Sequence, residues 1–594
     1  MSNAEPSVEV VVPVTQVAEV SSVPTPRALP RRPLPWAEQV LDEMTLRQKI
    51  GQMIMPLVLG AFSPEGTEAH EREIAWIEED AVGGVVISVG TPVDVAVKLN
   101  DLQMHSEYPL LVGADLEAGA GFRFRGALHS PTNIVLGGAT AFPPPMAFGA
   151  VGDPAYAYEM GRITATEALA MGVHMPFAPV LDVNNNADNP IINIRSFGED
   201  AEMVGEMGAS FVRGLQEHGA IATGKHFPGH GETEIDSHLA LPVIRVERER
   251  MDSVELAPFR SAIRAGMGGI MTGHIAVPAL SGERVPATLS SAVLTNLLRG
   301  ELGFSGVIFT DAMNMGAIDR LFPRGEAAVR AVVAGADVLL MPPDVTEAID
   351  AIERAVQRGR ISERRIDTSV TRLLRLKEDF RLHENRLVPV ERVPHIVGIP
   401  EHSDVAREVS ERSLTLIRNE RGLLPLLGTR SARVMSVTFR PKNDMLASRY
   451  FDGRLGATYR RLTSTHLDED THEAVYEALL RQARRSNLVV VSVYSNFAGV
   501  IEMTEEFVDF VNQLSARRIT HVVVSFGNPY VIHDFPDVQA YLLAWSGTAA
   551  SQRAAANALF GGQAITGTSP IGMSPLFERG DGLRISAKGV LGGR

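Results

Sequence analysis

The segment Lys225-His226-Phe227-Pro228-Gly229-His230-Gly231-Glu232-Thr233-Glu234-Ile235-Asp236-Ser237-His238 gathers a lysine, three histidines and an aspartate directly after an apolar run at 220–222. Pro and Gly cannot sustain a helix through 227–231, so these side chains are expected on irregular backbone, in a loop-like stretch, and not along one helical face. Asp236 and His238 stand two residues apart. That spacing lets the carboxylate accept an imidazole N–H, which orients the ring and fixes its tautomer, as a general acid working near neutral pH requires. An isolated Asp-x-His is more often a surface histidine beside a chance carboxylate. Gly229 and Gly231 offer hinges by which a loop could carry His238 inward once substrate binds. A metal reading draws on His226, His230, Asp236 and His238. However, a His-x-x-x-His pair relies on a helix to bring i and i+4 together, and Pro228-Gly229 breaks that helix, so no metal is expected. Asp311 is the other group of interest. It ends the apolar run Gly306-Val307-Ile308-Phe309-Thr310, where a carboxylate can attack an electrophilic carbon or simply cap the next helix.

Chemistry of this kind needs a scaffold that presents several chain-distant side chains to one point. From Trp36 onward, short apolar runs with β-branched residues alternate with longer helical patterns, which predicts repeated βα units around a parallel sheet. Eight such runs occur, at 53–59, 84–89, 110–114, 175–180, 220–223, 269–272, 307–310 and 338–341. Eight strands in this length predict an α/β fold of the (β/α)8 TIM-type barrel class. Asp115 and Glu117, Asp182, Lys225 and His226, His274, and Asp311 each follow the apolar core of a run, at the strand ends where barrels of this type build active sites. Pro389, Pro394 and Pro400 mark a linker over 387–402. Beyond it, runs at 433–439, 488–494, 521–526 and 541–545 predict a smaller three-layer α/β/α sandwich. The expected organisation is thus a Pro-rich disordered or extended arm at 1–35, a barrel at 36–386, a linker at 387–402 and a sandwich at 403–594.

Composition narrows the function classes. Of 594 residues, 56 are Lys or Arg and 71 are Asp or Glu, a formal net charge of −15. Such a chain has no electrostatic footprint for phosphate backbones, so no nucleic-acid partner is expected. The absence of cysteine removes disulfides, thiolate metal sites and a cysteine nucleophile. No window suggests a membrane span, and the N-terminus lacks the basic start and apolar core of an export signal. A cytoplasmic location is therefore the default, although Met1-Ser2-Asn3-Ala4 is also the kind of remnant that replaces a removed export signal. Oligomeric state is not readable.

Several segments together resemble the β-N-acetylglucosaminidase (NagZ-like) branch of glycoside hydrolase family 3. Lys225 to Gly231 followed by Asp236-Ser237-His238 is similar to its signature loop, Asp115-Leu116-Glu117 with Arg123-Phe124 to its first sugar-binding segment, and Arg195-Ser196-Phe197-Gly198 to its second. Thr310-Asp311-Ala312-Met313 is similar to its nucleophile segment. Leu414-Thr415-Leu416-Ile417-Arg418-Asn419 and Leu423-Leu424-Pro425-Leu426 resemble the opening of its C-terminal sandwich. The resemblance spans roughly 36–575 and keeps the motif order. It implies Asp311 as nucleophile, His238 as general acid/base with Asp236 as its partner, and Asp115, Arg123, Arg195, Lys225 and His226 as contacts to the terminal sugar. No cofactor is implied. His274 is a candidate for the pocket wall, or a satisfied strand-end histidine. Glu117 is a candidate salt-bridge partner of an arginine. Two departures stand out, Ala118-Gly119-Ala120 in place of Gly-Gly-Arg, and Ala312 where a second acidic residue is common.

The activity so implied is retaining exo-hydrolysis of terminal β-linked N-acetylglucosamine from peptidoglycan fragments or related glycosides, the substrate being a small glycoside or muropeptide. A phosphorylase using the same residues is an alternative, because a histidine acid/base carries no negative charge to repel phosphate. A β-glucosidase-type hydrolase and a non-catalytic glycan-binding protein are further alternatives.

Overall fold

A computed structural model describes residues 35–129, 134–426, 430–495 and 499–587. The expected arm, apart from Pro35, lies outside the described residues.

The first domain is a closed parallel barrel. Its strands are β1 (Ile54–Met55) with β2 (Leu57–Leu59), β3 (Gly84–Ser88), β4 (Leu111–Ala114), β7 (Met175–Pro176), β8 (Thr223–Phe227), β9 (Gly269–Thr272), β10 (Val307–Ala312) and β11 (Val338–Leu340). A hairpin of β5 (Ala127–His129) and β6 (Ile134–Leu136) is inserted after β4. Pro56, which has no N–H to give a ladder, divides the first strand. Its first half pairs with β11 and its second with β3, so one interrupted strand joins the two parts of the barrel wall. The opposite seam closes through a bridge between Val180 and Lys225, with Leu181 N–H donating to Lys225 O at 2.7 Å and Lys225 N–H to Pro179 O at 3.0 Å. Because helices cover the outside and side chains fill the inside, the strands are apolar on both faces. Val85, Val86, Ile87, Val112, Ile308 and Leu339 are all buried in one core. Chain reversals into the outer helices use side-chain caps. Thr67, Thr91, Asp200, Asp344 and Ser362 each accept a backbone N–H in the following first turn.

The second domain is a six-stranded sheet of β12 (Thr415–Asn419), β13 (Arg433–Phe439), β14 (Arg461–Leu467), β15 (Leu488–Tyr494), β16 (His521–Phe526) and β17 (Ala540–Leu543), ordered β12-β17-β16-β15-β13-β14. All pairs are parallel except β12 with β17. Helices Arg449–Thr458 and Ala549–Leu559 cover one face through Phe451, Leu455 and Leu559. Helices Glu473–Ala483 and Glu505–Ala516 cover the other through Tyr476, Leu479, Phe507 and Phe510. That second core also takes in Met146, Ala147, Ala150 and Ile194 from the barrel, so the domains share buried apolar surface.

One sequence expectation changes. The run expected to end at 223 is a strand that begins there, so Lys225 and His226 belong to fully buried β8 and not to a loop. The 387–402 stretch is docked on the barrel. Val388 exchanges backbone bonds with the Asn100 side chain at 2.8 and 2.9 Å, Val393 is buried, and Gly398 N–H and His402 Nδ1 both bond Glu167 Oε1. Near the C-terminus, Ile585 bonds Ile565, and Leu583 N–H donates to Leu416 O on β12.

Candidate active site

The carboxyl ends of β4, β7, β8, β9 and β10 converge on a continuous polar network. Lys225, only 2% exposed, places Nζ 2.7 Å from both Asp115 Oδ1 and Glu117 Oε1. Arg123 donates to Asp115 Oδ2 at 2.9 Å. Arg195 grips Glu117 with a two-pronged pair of 2.8 Å bonds from Nε and Nη2, and donates from Nη1 to Ile191 O at 2.7 Å. Glu117, the candidate salt-bridge partner of an arginine, is thus the buried counter-charge of both Arg195 and Lys225. Burial pushes its carboxyl up, but Arg195 and Lys225 outweigh that and hold it well below the ordinary range. Asp115 is partly buried against Lys225 and Arg123, and the two cations hold its pKa below the ordinary carboxylate value.

Arg195 Nη2 also approaches His226 Nε2 at 3.4 Å, while His226 Nδ1 meets Asp182 Oδ2 at 2.7 Å. Asp182 accepts the backbone N–H of His226 at 3.2 Å and that of His230 at 2.7 Å. Asp182 is fully buried, and sequence reasoning had noted its strand-end position without giving it a task. A bulge makes this geometry possible. The β8–β9 register shifts between Gly224 and Phe227, and a bulge re-aims side chains that strict alternation would send to opposite faces, so adjacent Lys225 and His226 both reach the network.

Asp311 lies at the end of β10, half-open at the mouth, with its own carboxylate accepting the Ala312 N–H at 2.8 Å. Burial raises its pKa, but the imidazoles of His226 and His274, the Ala312 amide and the Lys225 ammonium together hold it below the usual carboxylate value. His274 is fully buried and satisfied on both sides, by Thr288 Oγ1 at 2.8 Å and by Ala312 O at 3.0 Å. It therefore props the backbone beside Asp311 and does not line an open pocket wall.

Asp236 and His238 form the expected pair, with His238 Nδ1 2.7 Å from Asp236 Oδ1, and the same oxygen also accepts the His238 N–H at 2.8 Å. The His238 side chain is 57% exposed. Its backbone is tied to the segment that follows β10. Gly316 N–H donates to His238 O at 3.1 Å and Ala317 N–H to Ser237 O at 3.3 Å. His230, which had no assigned task, is the strut inside this loop, since Nδ1 meets Thr233 Oγ1 at 2.8 Å and Nε2 meets Ser237 Oγ at 2.9 Å. Burial, reinforced by His226, lowers its pKa to about 4. The two glycines expected as hinges are close-packed instead. A Cβ on Gly231 would fall 1.7 Å from Val183 O, and one on Gly229 would meet the Glu255 side chain at 2.7 Å. The exposed part of the loop starts only at Glu234. Among the described residues, no three His, Asp or Glu side chains meet as they would around a metal ion. No described helix is long and apolar enough to cross a membrane.

The arrangement offers an ionised carboxylate at the mouth, an exposed imidazole oriented by its own carboxylate, and a floor of paired charges able to bond vicinal hydroxyls. Comparison with known proteins gives a consistent picture. The family model described as glycosyl hydrolase family 3 N terminal domain matches residues 45–376, and its C-terminal counterpart matches 414–578. The beta-N-acetylglucosaminidase/beta-glucosidase of Cellulomonas fimi is 29% identical over 562 residues, covering 90% of this chain and 95% of its own. Among solved structures, a glycoside hydrolase family 3 β-N-acetylglucosaminidase from Paenibacillus sp. str. FPU-7 superposes with a TM-score of 0.76 at 34% identity, covering 89% of this chain and 98% of that one. A beta-glucoside phosphorylase, BglX, superposes with a TM-score of 0.78 at 25% identity, covering 90% and 95%.

Proposed function

The chain belongs to glycosyl hydrolase family 3, and we infer that it is a retaining exo-β-N-acetylglucosaminidase that releases terminal β-linked N-acetylglucosamine from small glycosides, peptidoglycan fragments among them. The observation that carries this reading is the Asp236/His238 pair on a loop whose backbone is bonded to the segment just after Asp311. Relatives named for the same activity support it.

The terminal sugar sits over Asp115, Arg123, Lys225, Arg195 and His226, whose charge-assisted bonds fix the ring. Asp311, held ionised, attacks the anomeric carbon as positive character develops there. The bond to the leaving oxygen breaks, and that oxygen takes its proton from His238. A glycosyl–Asp311 ester results. His238, now neutral, accepts a proton from water. The water oxygen bonds the anomeric carbon, the ester opens, and the sugar leaves with its β configuration retained. Asp236 keeps the imidazole oriented in both steps.

Release of p-nitrophenol from the β-N-acetylglucosaminide, with the β anomer of free sugar seen first by NMR, is the expected result. No release, or full activity in Asp311→Ala, overturns the reading. Transfer to phosphate is a second reading, favoured by an acid/base that carries no negative charge and by the phosphorylase neighbour. Sugar 1-phosphate formed on adding phosphate would select it.

A further inference from the structure

The 181–200 stretch between β7 and helix Ala201–Glu217 carries Asp182 and Arg195 yet has only one 3-10 turn, Asn193–Arg195. Two internal pinches shape it. Ser196 Oγ donates to Asp182 O at 2.6 Å, and Asn184 N–H donates to Gly198 O at 2.9 Å. Irregular backbone of this length loses ordering entropy that something must offset. On the barrel side Asn185 bonds Glu255 and Asn189 donates to His230 O and Gly231 O, and the other face of the loop is held by the second domain. Asn184 Nδ2 donates to the buried Tyr530 hydroxyl at 2.8 Å. Ile194, beside Arg195, is buried in the same apolar cluster as Tyr530, Ile571 and Phe577. Val500 packs on Ile191 and Ile192, and Ile191 O is the carbonyl that receives Arg195 Nη1. Gly499, at φ +79°, lies so close to Asn193 that a Cβ would fall 2.8 Å from its Oδ1. At the far end, Glu199 N–H donates to Pro570 O at 3.2 Å, Glu199 Oε2 accepts from Gly572 N–H at 2.8 Å, and Arg579 pairs with Asp200.

We propose that the second domain sets the affinity of the terminal-sugar subsite by holding this loop, with Tyr530 and Gly499 as positioning residues for Asp182 and Arg195. The inference rests on the hydrolase reading for its substrate but not for its geometry. Tyr530 acts through Asn184, two residues from the carboxylate that anchors His226 and His230. Gly499 acts through Asn193, two residues from the arginine that forks Glu117. Neither touches sugar, and neither belongs to the proton-transfer loop. Loosening the grip therefore changes ground-state and transition-state binding together, which raises KM and leaves kcat.

The test compares Tyr530→Phe and Gly499→Ala with Phe451→Leu, a substitution in the core on the other face of the same sheet, away from the loop. KM for the p-nitrophenyl glycoside should rise roughly three- to ten-fold in the first two, the effect of one buried hydrogen bond, with kcat held within about two-fold. Deuterium uptake over 183–199 should quicken in both, with uptake over 236–239 unchanged. Phe451→Leu should lower the melting temperature without altering KM or loop exchange. Unchanged KM and exchange in Tyr530→Phe overturn the proposal, as does an equal rise in KM for Phe451→Leu. A wild-type protein without turnover sinks the hydrolase reading, and the exchange comparison then decides the proposal by itself.

Discussion

Acid should loosen the loop that carries Asp236 and His238, through His230, before it touches the Asp311 carboxylate. Burial drops this imidazole from 6.5 to about 4. Its folded-state pKa is thus lower than its unfolded one. Above pH 6.5 neither state is protonated and the group has no pH effect. Below it the unfolded chain takes the proton first, so stability falls until pH passes the folded value and then levels. With that shift, the loss works out at about 1.4 kcal/mol by pH 5.5 and about 2.5 kcal/mol by pH 4.5. His230→Gln removes the titration but keeps an amide that reaches Ser237. At pH 7.5 it should cost about 1 kcal/mol for the missing Thr233 bond. Urea unfolding measured from pH 7.5 to 4.5 should therefore give two curves that approach and cross at roughly pH 5–6, the variant being the more stable protein on the acid side. His174, also lowered to about 4 by burial, slopes both curves equally and drops out of the difference. Parallel curves would refute the reasoning, because they would mean that His230 is no harder to protonate in the folded loop than in the unfolded chain.

Three other outcomes are expected. Glu117→Ala leaves Arg195 and Lys225 buried without their shared carboxylate and should cost about 3–5 kcal/mol in urea unfolding; a loss near zero would place the neutralising charge elsewhere. His238→Ala should lower kcat by roughly 10²–10⁴-fold on p-nitrophenyl glycosides, with the glycosylation step largely recovered on a dinitrophenyl glycoside whose leaving group needs no proton. Because Asp311 is held below the usual carboxylate value, its contribution to kcat/KM is complete above that value and lost only as pH falls through the lowered one. His274→Asn should move this acid limb upward, and an unmoved limb in the pH–rate profile would contradict the share of the lowering assigned to His274.

The barrel was legible because parallel strands buried on both faces become continuous apolar runs, and strand ends follow from where those runs stop. That rule misplaced β8, since Lys225 and His226 are polar side chains inside a strand, paired so thoroughly that burial is tolerated. β14 was missed for the opposite reason. It is an edge strand, Arg461–Leu467, mostly exposed and held by its backbone ladder to β13, with no hydrophobic period to announce it. At the site, the Asp236/His238 pair was readable because its partners are two residues apart. The Glu117 fork to Arg195 joins residues 78 positions apart, and the duties of Asp182, His230 and Tyr530 likewise depend on contacts between distant segments. Residue type marked those positions as polar and no more.

The row Arg123, Asp115, Lys225, Glu117, Arg195 alternates in sign at every step, so each charge has an opposite one within a side chain's reach, the three cations and two anions leave a net charge of only +1, and little potential projects beyond the mouth. Capture of an uncharged glycoside should then be nearly indifferent to ionic strength. An anionic peptide-bearing fragment instead approaches a chain of formal charge −15 and should bind faster as salt screens that repulsion. The salt dependence of kcat/KM thus becomes a property of the leaving group, and it distinguishes which fragment the protein meets without any change in the sugar it cuts.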